Sequence, residues 1–259
     1  MNWAVCKNTW RACASSKVRM ILLAVCFMAP ILERTIQICS TNEFPTDVLS
    51  DTNPAVYMAL IWCSGVIGNQ VSDGTLPLLF SRPVSTVQYV TSKWFAVGSA
   101  AALTCLAQSL AELLIALCDY PFMIDPVSAA TRVFVRTLIS FGVAAFFTLL
   151  SSLVSGLKDL GVYFLLVILQ TIMAGLAQIK ADSVPYPFWK AVVQAVIPSS
   201  RAGSDILSGL LRPSIDIELM MSAATAVWST IFFYIAAVTG CVALAVFVLN
   251  RKELPYSVD

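Results

Sequence analysis

Within the apolar stretch "AAALTCLAQSLAELLIALC" (100–118), Gln108 and Glu112 stand one helical turn apart, so a helix sets amide and carboxylate side by side on one face. A second stretch, "CFMAPILERTIQIC" (26–39), holds the adjacent pair Glu33 and Arg34. Ionisable groups inside a membrane-length apolar run are costly and mark a pathway, a relay or a buried pair. Two uses are open to these residues. Glu33, Gln108 and Glu112 could line a substrate path. Alternatively they anchor their helices near the interface, with Arg34 snorkelling outward and the others hydrogen-bonding between helices.

Other chemistry is scarce. The chain has no histidine, which removes the commonest metal ligand and proton shuttle. Its eight cysteines are scattered without a C-x-x-C pair, and a thiol inside an apolar run behaves as a small hydrophobe. Cys39 and Cys118 fall near one proposed face, where a disulfide is chemically permitted. A serine nucleophile needs a base and a group to orient it, and no such set is legible. The chain is therefore not expected to be an enzyme, nor to hold a metal or cofactor of its own.

Between two apolar runs lies a turn-rich insert, "DGTLPLLFSRPVSTVQYVTSKWF" (73–95). Asp73 and Gly74 form a turn, and Thr75 can cap a helix start. Leu76, Leu79 and Phe80 then share one face. Ser81, Arg82 and Pro83 end that piece and begin another, with Pro83 at a favoured first helical position. A short helix joined rigidly to two spans suits contact with a partner outside the membrane; an ordinary interfacial loop is the plainer reading.

The elements that must position these residues are membrane helices. Of 259 residues 58% are hydrophobic and 12% charged, with a mean hydropathy of +0.82, against about 25% charged in a soluble domain. Net charge is +1, which offers no basic surface for nucleic acid. Six runs are long enough to cross a bilayer, for which about 20 residues suffice: Val18–Ser40, Pro54–Val71, Lys93–Cys118, Val133–Gly156, Leu160–Lys180 and Ser222–Leu249. A lipid-exposed backbone must bond to itself, so each run is expected to be helical. The alternating pattern of a membrane barrel is absent. The fold expected is all-α, an integral membrane protein of six transmembrane helices.

Lys7, Arg11, Lys17 and Arg19 crowd the head of the chain, while the first loop, "TNEFPTDVLSD", has three acids and no base. The positive-inside rule then puts both termini and the insert in the cytoplasm. Arg132, Arg136, Lys180, Lys190, Arg201 and Arg212 fall on the other side and weaken the bias. No small-residue cleavage site follows the first run, so it is expected to remain as a span. Residues 1–17 place Trp3, Cys6, Trp10 and Cys13 at helical spacing with Lys7, Asn8 and Arg11 on other faces. That pattern predicts an interfacial amphipathic helix.

The insert resembles the signature of permease subunits of export-class (type-2) ABC transporters. The matching positions are Asp73, Gly74, Thr75, Leu78, Leu79, Ser81, Arg82, Pro83, Val84, Ser85 and Lys93. "FWKAVVQAVIPSSRAGSDILSGLL" (188–211) is similar to the family's outer re-entrant pair of helices, here around Pro198, and the closing "FVLNRKELPY" to its basic C-terminal end. The compact six-span branch that includes the nitrous-oxide-reductase maturation permease is the nearest in pattern. The resemblance implies one permease domain over 1–259, with an interfacial helix (1–17), a coupling segment (72–92) between spans two and three, and an outer re-entrant segment (181–221). It implies that the permease pairs with itself and docks two copies of a separate ATPase subunit. On that view Asp73, Gly74, Thr75, Leu76, Leu79, Phe80, Ser81, Arg82 and Pro83 form the ATPase-coupling contact. The sequence carries no G-x-x-x-x-G-K-[ST] loop, so ATP and Mg would be bound by the partner. The expected location is the inner or plasma membrane. A non-ABC secondary transporter and a non-transporting membrane scaffold are the alternatives.

Overall fold

Apolar runs of this length bury their own backbone polarity by coiling, and the computed structural model, which describes residues 1–41, 54–73, 84–119, 125–154, 158–178, 186–211 and 224–251, is built of helices. In order the helices are α1 (Trp3–Ala14), α2 (Lys17–Thr41), α3 (Pro54–Cys63), α4 (Gly68–Ser72), α5 (Thr86–Asp119), α6 (Pro126–Leu153), α7 (Lys158–Gln178), α8 (Pro187–Leu211) and α9 (Ala224–Arg251). No strand occurs among the described residues. Five segments are long and apolar enough to cross a membrane: Pro54–Ser72 (α3 with α4), Thr86–Cys118, Pro126–Leu153, Lys158–Gln178 and Trp228–Arg251. A sixth is added if the bent pair α1–α2 counts as one. The protein is a multi-pass membrane protein.

Helix starts are set by local chemistry that hydropathy does not register. The third span begins at Thr86 rather than at Lys93, because Ser85 caps it: the Gln88 N–H donates to Ser85 Oγ at 3.3 Å, which meets one free donor of the first turn. Lys93 is thereby carried two turns inside the helix and is only 5% exposed. The fourth span begins at Pro126 rather than Val133. Asp125 accepts hydrogen bonds from the Val127 and Ser128 amides, and Pro126 takes the first position, where its missing N–H costs nothing. Arg136, expected at an outer end, sits well inside α6 as a result.

The core is the α5–α6 seam, with α3 and α9 packed on it. Small residues allow the approach. A Cβ on Gly98 would come within 2.7 Å of the Phe141 ring, and Ala144 lies just beyond. Ala101, Val143 and Ala145 are fully buried alongside. By contrast α7 leaves most of its length uncovered, packing on α8 and, through Tyr163 near its start, on Phe147 of α6. The stretch expected as two outer helices around Pro198 is a single helix, α8, running through that proline and lying along α7.

The N-terminal helix forms as expected. Asn2 caps α1 by accepting from the Ala4 N–H, and α1 meets the first part of α2 at an 80° bend. Lys7, Asn8 and Arg11 are exposed, while Cys6, Thr9 and Cys13 are buried. One indole departs from the interfacial expectation: Trp10 turns inward and donates from Nε1 to the Ala96 carbonyl at 2.6 Å.

The second span is broken, which the sequence reading did not anticipate. Between α3 and α4 residues 64–67 unwind, with Gly65 at φ +65°. Within a membrane every freed backbone group needs a partner, and here each finds one. The Ser64 carbonyl accepts from Arg19 Nη2 (2.6 Å), the Gly65 N–H donates to Asp159 Oδ2 (2.8 Å), and the Val66 carbonyl accepts from Lys93 Nζ (3.3 Å). Ser151 Oγ accepts from both the Ile67 and Gly68 N–H groups. Short backbone bonds within the segment satisfy the remaining groups. Four helices thus hold one kink. Gly65→Ala should lower stability by about 1–2 kcal/mol through its left-handed backbone alone. The contact adds to this, since a Cβ would stand 2.7 Å from the Asn69 amide. Unfolding in a denaturing detergent series measures it, and an unchanged midpoint would show that the kink is not strained against a side chain.

Candidate functional site

Helix α5 presents Gln108 and Glu112 on one face, as their spacing requires, and that face turns into the α5–α6 seam. Gln108, Ser109 and Glu112 are 0% exposed and Arg136 is 6% exposed. Glu112 Oε2 is 3.3 Å from Arg136 Nη1, which also donates to Ser109 Oγ at 3.1 Å. Gln108 Nε2 donates to the other carboxylate oxygen, Glu112 Oε1, at 3.1 Å. Ser140, one turn below on α6, donates to the Arg136 carbonyl. Arg136 is the residue sequence reasoning missed. The signal that could have found it was Asp125-Pro126, a helix start that moves Arg136 inside its span.

Two properties matter chemically. First, desolvating an ion pair costs several kcal/mol per charge, offset only where geometry and extra hydrogen bonds are good; Ser109 and Gln108 supply those bonds. Second, Gln108 Oε1 is buried without a hydrogen-bond partner. Rotating the amide does not help, since it would set the oxygen against the carboxylate. An unmet buried acceptor costs about 1–3 kcal/mol. The cluster therefore clamps α5 to α6 and keeps one acceptor open to a donor from outside the pair.

The other residues singled out from sequence fall elsewhere. Glu33 is exposed on α2 and takes no part in the Glu112–Arg136 pair. Of the insert, Asp73 ends α4, where its N–H donates to the Asn69 carbonyl. Gly74, Thr75, Leu76, Leu79, Phe80, Ser81, Arg82 and Pro83 lie outside the described residues. Cys118 is a free, exposed thiol. No group of three or more metal-binding side chains occurs among the described residues. Compared with protein-family models, curated proteins and solved structures, the chain matches none.

Proposed function

We propose that this chain is the membrane half of an ATP-driven exporter, moving its substrate with energy from a separate ATPase subunit. The observation that carries the reading is the sequence of the insert, in which Asp73, Gly74, Thr75, Ser81, Arg82 and Pro83 keep their order. It stands between two membrane-length segments, α3–α4 and α5. An element so short and tied at both ends transmits a push without slack. Two ATPase copies would dock on a pair of permeases, with the insert as the coupling contact, in a cell membrane with both termini cytoplasmic. A second copy has apolar surface to meet: Ile21, Val25 and Ile36 on α2 and Leu165, Ile168 and Ile172 on α7 are exposed.

A second reading is favoured by one observation. A secondary transporter uses discontinuous helices and buried acids, and this chain has a broken span and a buried Glu112. Transport by reconstituted permease separates the two: dependence on the ATPase subunit and ATP supports the exporter, and dependence on an ion gradient alone supports the alternative.

Orientation has its own test. Asp51→Cys and Ser257→Cys, labelled by a membrane-impermeant maleimide in intact cells and in inverted vesicles, should react from opposite sides. Labelling of both from the same side would remove the cytoplasmic placement of the insert.

A further inference from the structure

The kink in the second span has a cavity beside it. About 300 Å³ of space is walled by α1 and the start of α2 on one side and by the unwound segment on the other; Arg19, Lys93, Asn69 and Gln70 reach it, with the Gly65–Val66 backbone. A neighbouring space of about 420 Å³ under α1 shares Lys93 and Gln70 as walls. Neither lining contains a carboxylate.

Two cations face this cavity, while the carboxylate that holds the kink, Asp159, accepts from the Gly65 and Leu160 N–H groups and does not line it. Lys93 is buried and Arg19 half-buried, and a buried charge is normally paired. Here Arg19 donates to the Ser64 carbonyl and Cys13 Sγ, and Lys93 donates to the Val66 carbonyl. Among the described residues neither has an acidic partner. A guanidinium carries five N–H donors and an ammonium three, so both keep donors in hand. The space accommodates a phosphate group with several waters, at roughly 30 Å³ per water. The outer face of α1 carries the exposed cations Lys7 and Arg11, with Lys17 beside it at the head of α2, as suits an anionic lipid surface.

We infer that this cavity binds a phosphate-bearing anion between Arg19 and Lys93, with the Asn69 amide as a further donor. The ligand adds to Asp159 a second source of negative charge against the two cations and ties α1 to the broken span. The inference does not depend on the exporter reading. Its source is either a lipid headgroup or free phosphate, and the two are separable.

The test uses the purified full chain in a neutral detergent. Native mass spectrometry compares retention of dioleoyl phosphatidylglycerol with that of dioleoylglycerol, which has the same chains and no phosphate. Thermal unfolding with inorganic phosphate covers the free ion. Asn69→Asp leaves the kink's hydrogen bonds in place and puts a negative charge in the cavity; it should weaken anion binding about tenfold or more. Arg19→Gln should do the same, whereas Lys7→Gln on the outer face of α1 should not. Lipid retention that inorganic phosphate does not displace assigns the headgroup. Stabilisation by inorganic phosphate without preference for the phospholipid assigns the free ion. Equal binding by the wild type and both cavity variants, or no response of the wild type to either probe, overturns the inference.

Discussion

Glu112→Leu should destabilise the folded protein by about 3–5 kcal/mol, the cost of leaving one member of a buried pair without the other. Arg136→Met should cost less. With Arg136 gone, Glu112 can take up a proton and become neutral, whereas a guanidinium left without its carboxylate stays charged. Replacing both, Glu112→Leu with Arg136→Met, should recover most of the loss, because two apolar side chains of similar bulk avoid desolvation altogether. Unfolding midpoints of the two single variants and the double variant measure the coupling directly. Additive losses would mean that the 3.3 Å pair contributes nothing as a pair. The same variants separate the two uses open to Gln108 and Glu112. If the cluster only clamps α5 to α6, the stable double variant keeps its transport. If it lines a path, transport falls although stability returns.

Membrane physics made much of this fold legible in advance. A helix must satisfy its own backbone in lipid, so the apolar runs mark α2, α7 and α9 closely at both ends, and α5 and α6 everywhere but at their starts. Small residues around Gly98 and Ala144 permit close packing, and both lie in the α5–α6 seam. What hydropathy did not carry was the position of helix starts. Ser85 with Gln88, and Asp125 with Pro126, extend two helices backward and pull Lys93 and Arg136 inside. Charged residues near a run's edge read as interfacial by default, and here two of them are interior. The broken span was hidden for a different reason. Gly65 alone is a weak signal, and the side chains that hold the kink come from Arg19, Lys93, Ser151 and Asp159, which are far from it in sequence. No local pattern encodes a convergence of that kind.

Leu76, Leu79 and Phe80 fall on one face of the short helix that the insert's spacing predicts, and each apolar anchor buried at a partner contributes roughly 1.5–3 kcal/mol. Loss of one should weaken ATPase docking about tenfold or more. Leu79→Asp also drives a charge into the contact, which costs more still. On the exporter reading Arg82 meets an acidic group or a helix C-terminus on the ATPase, and Arg82→Glu reverses that charge. Neither change touches the apolar runs, so both variants should insert and fold as the parent does. The decisive measurement is transport-linked ATP hydrolysis by permease and ATPase subunit reconstituted together, with retention of the ATPase by the permease scored alongside. Leu79→Asp and Arg82→Glu should each lose ATPase retention and coupled hydrolysis, while Asp47→Ala in the acidic first loop keeps both. Normal retention and coupling in both insert variants would contradict the exporter reading and leave the stretch as an ordinary interfacial loop.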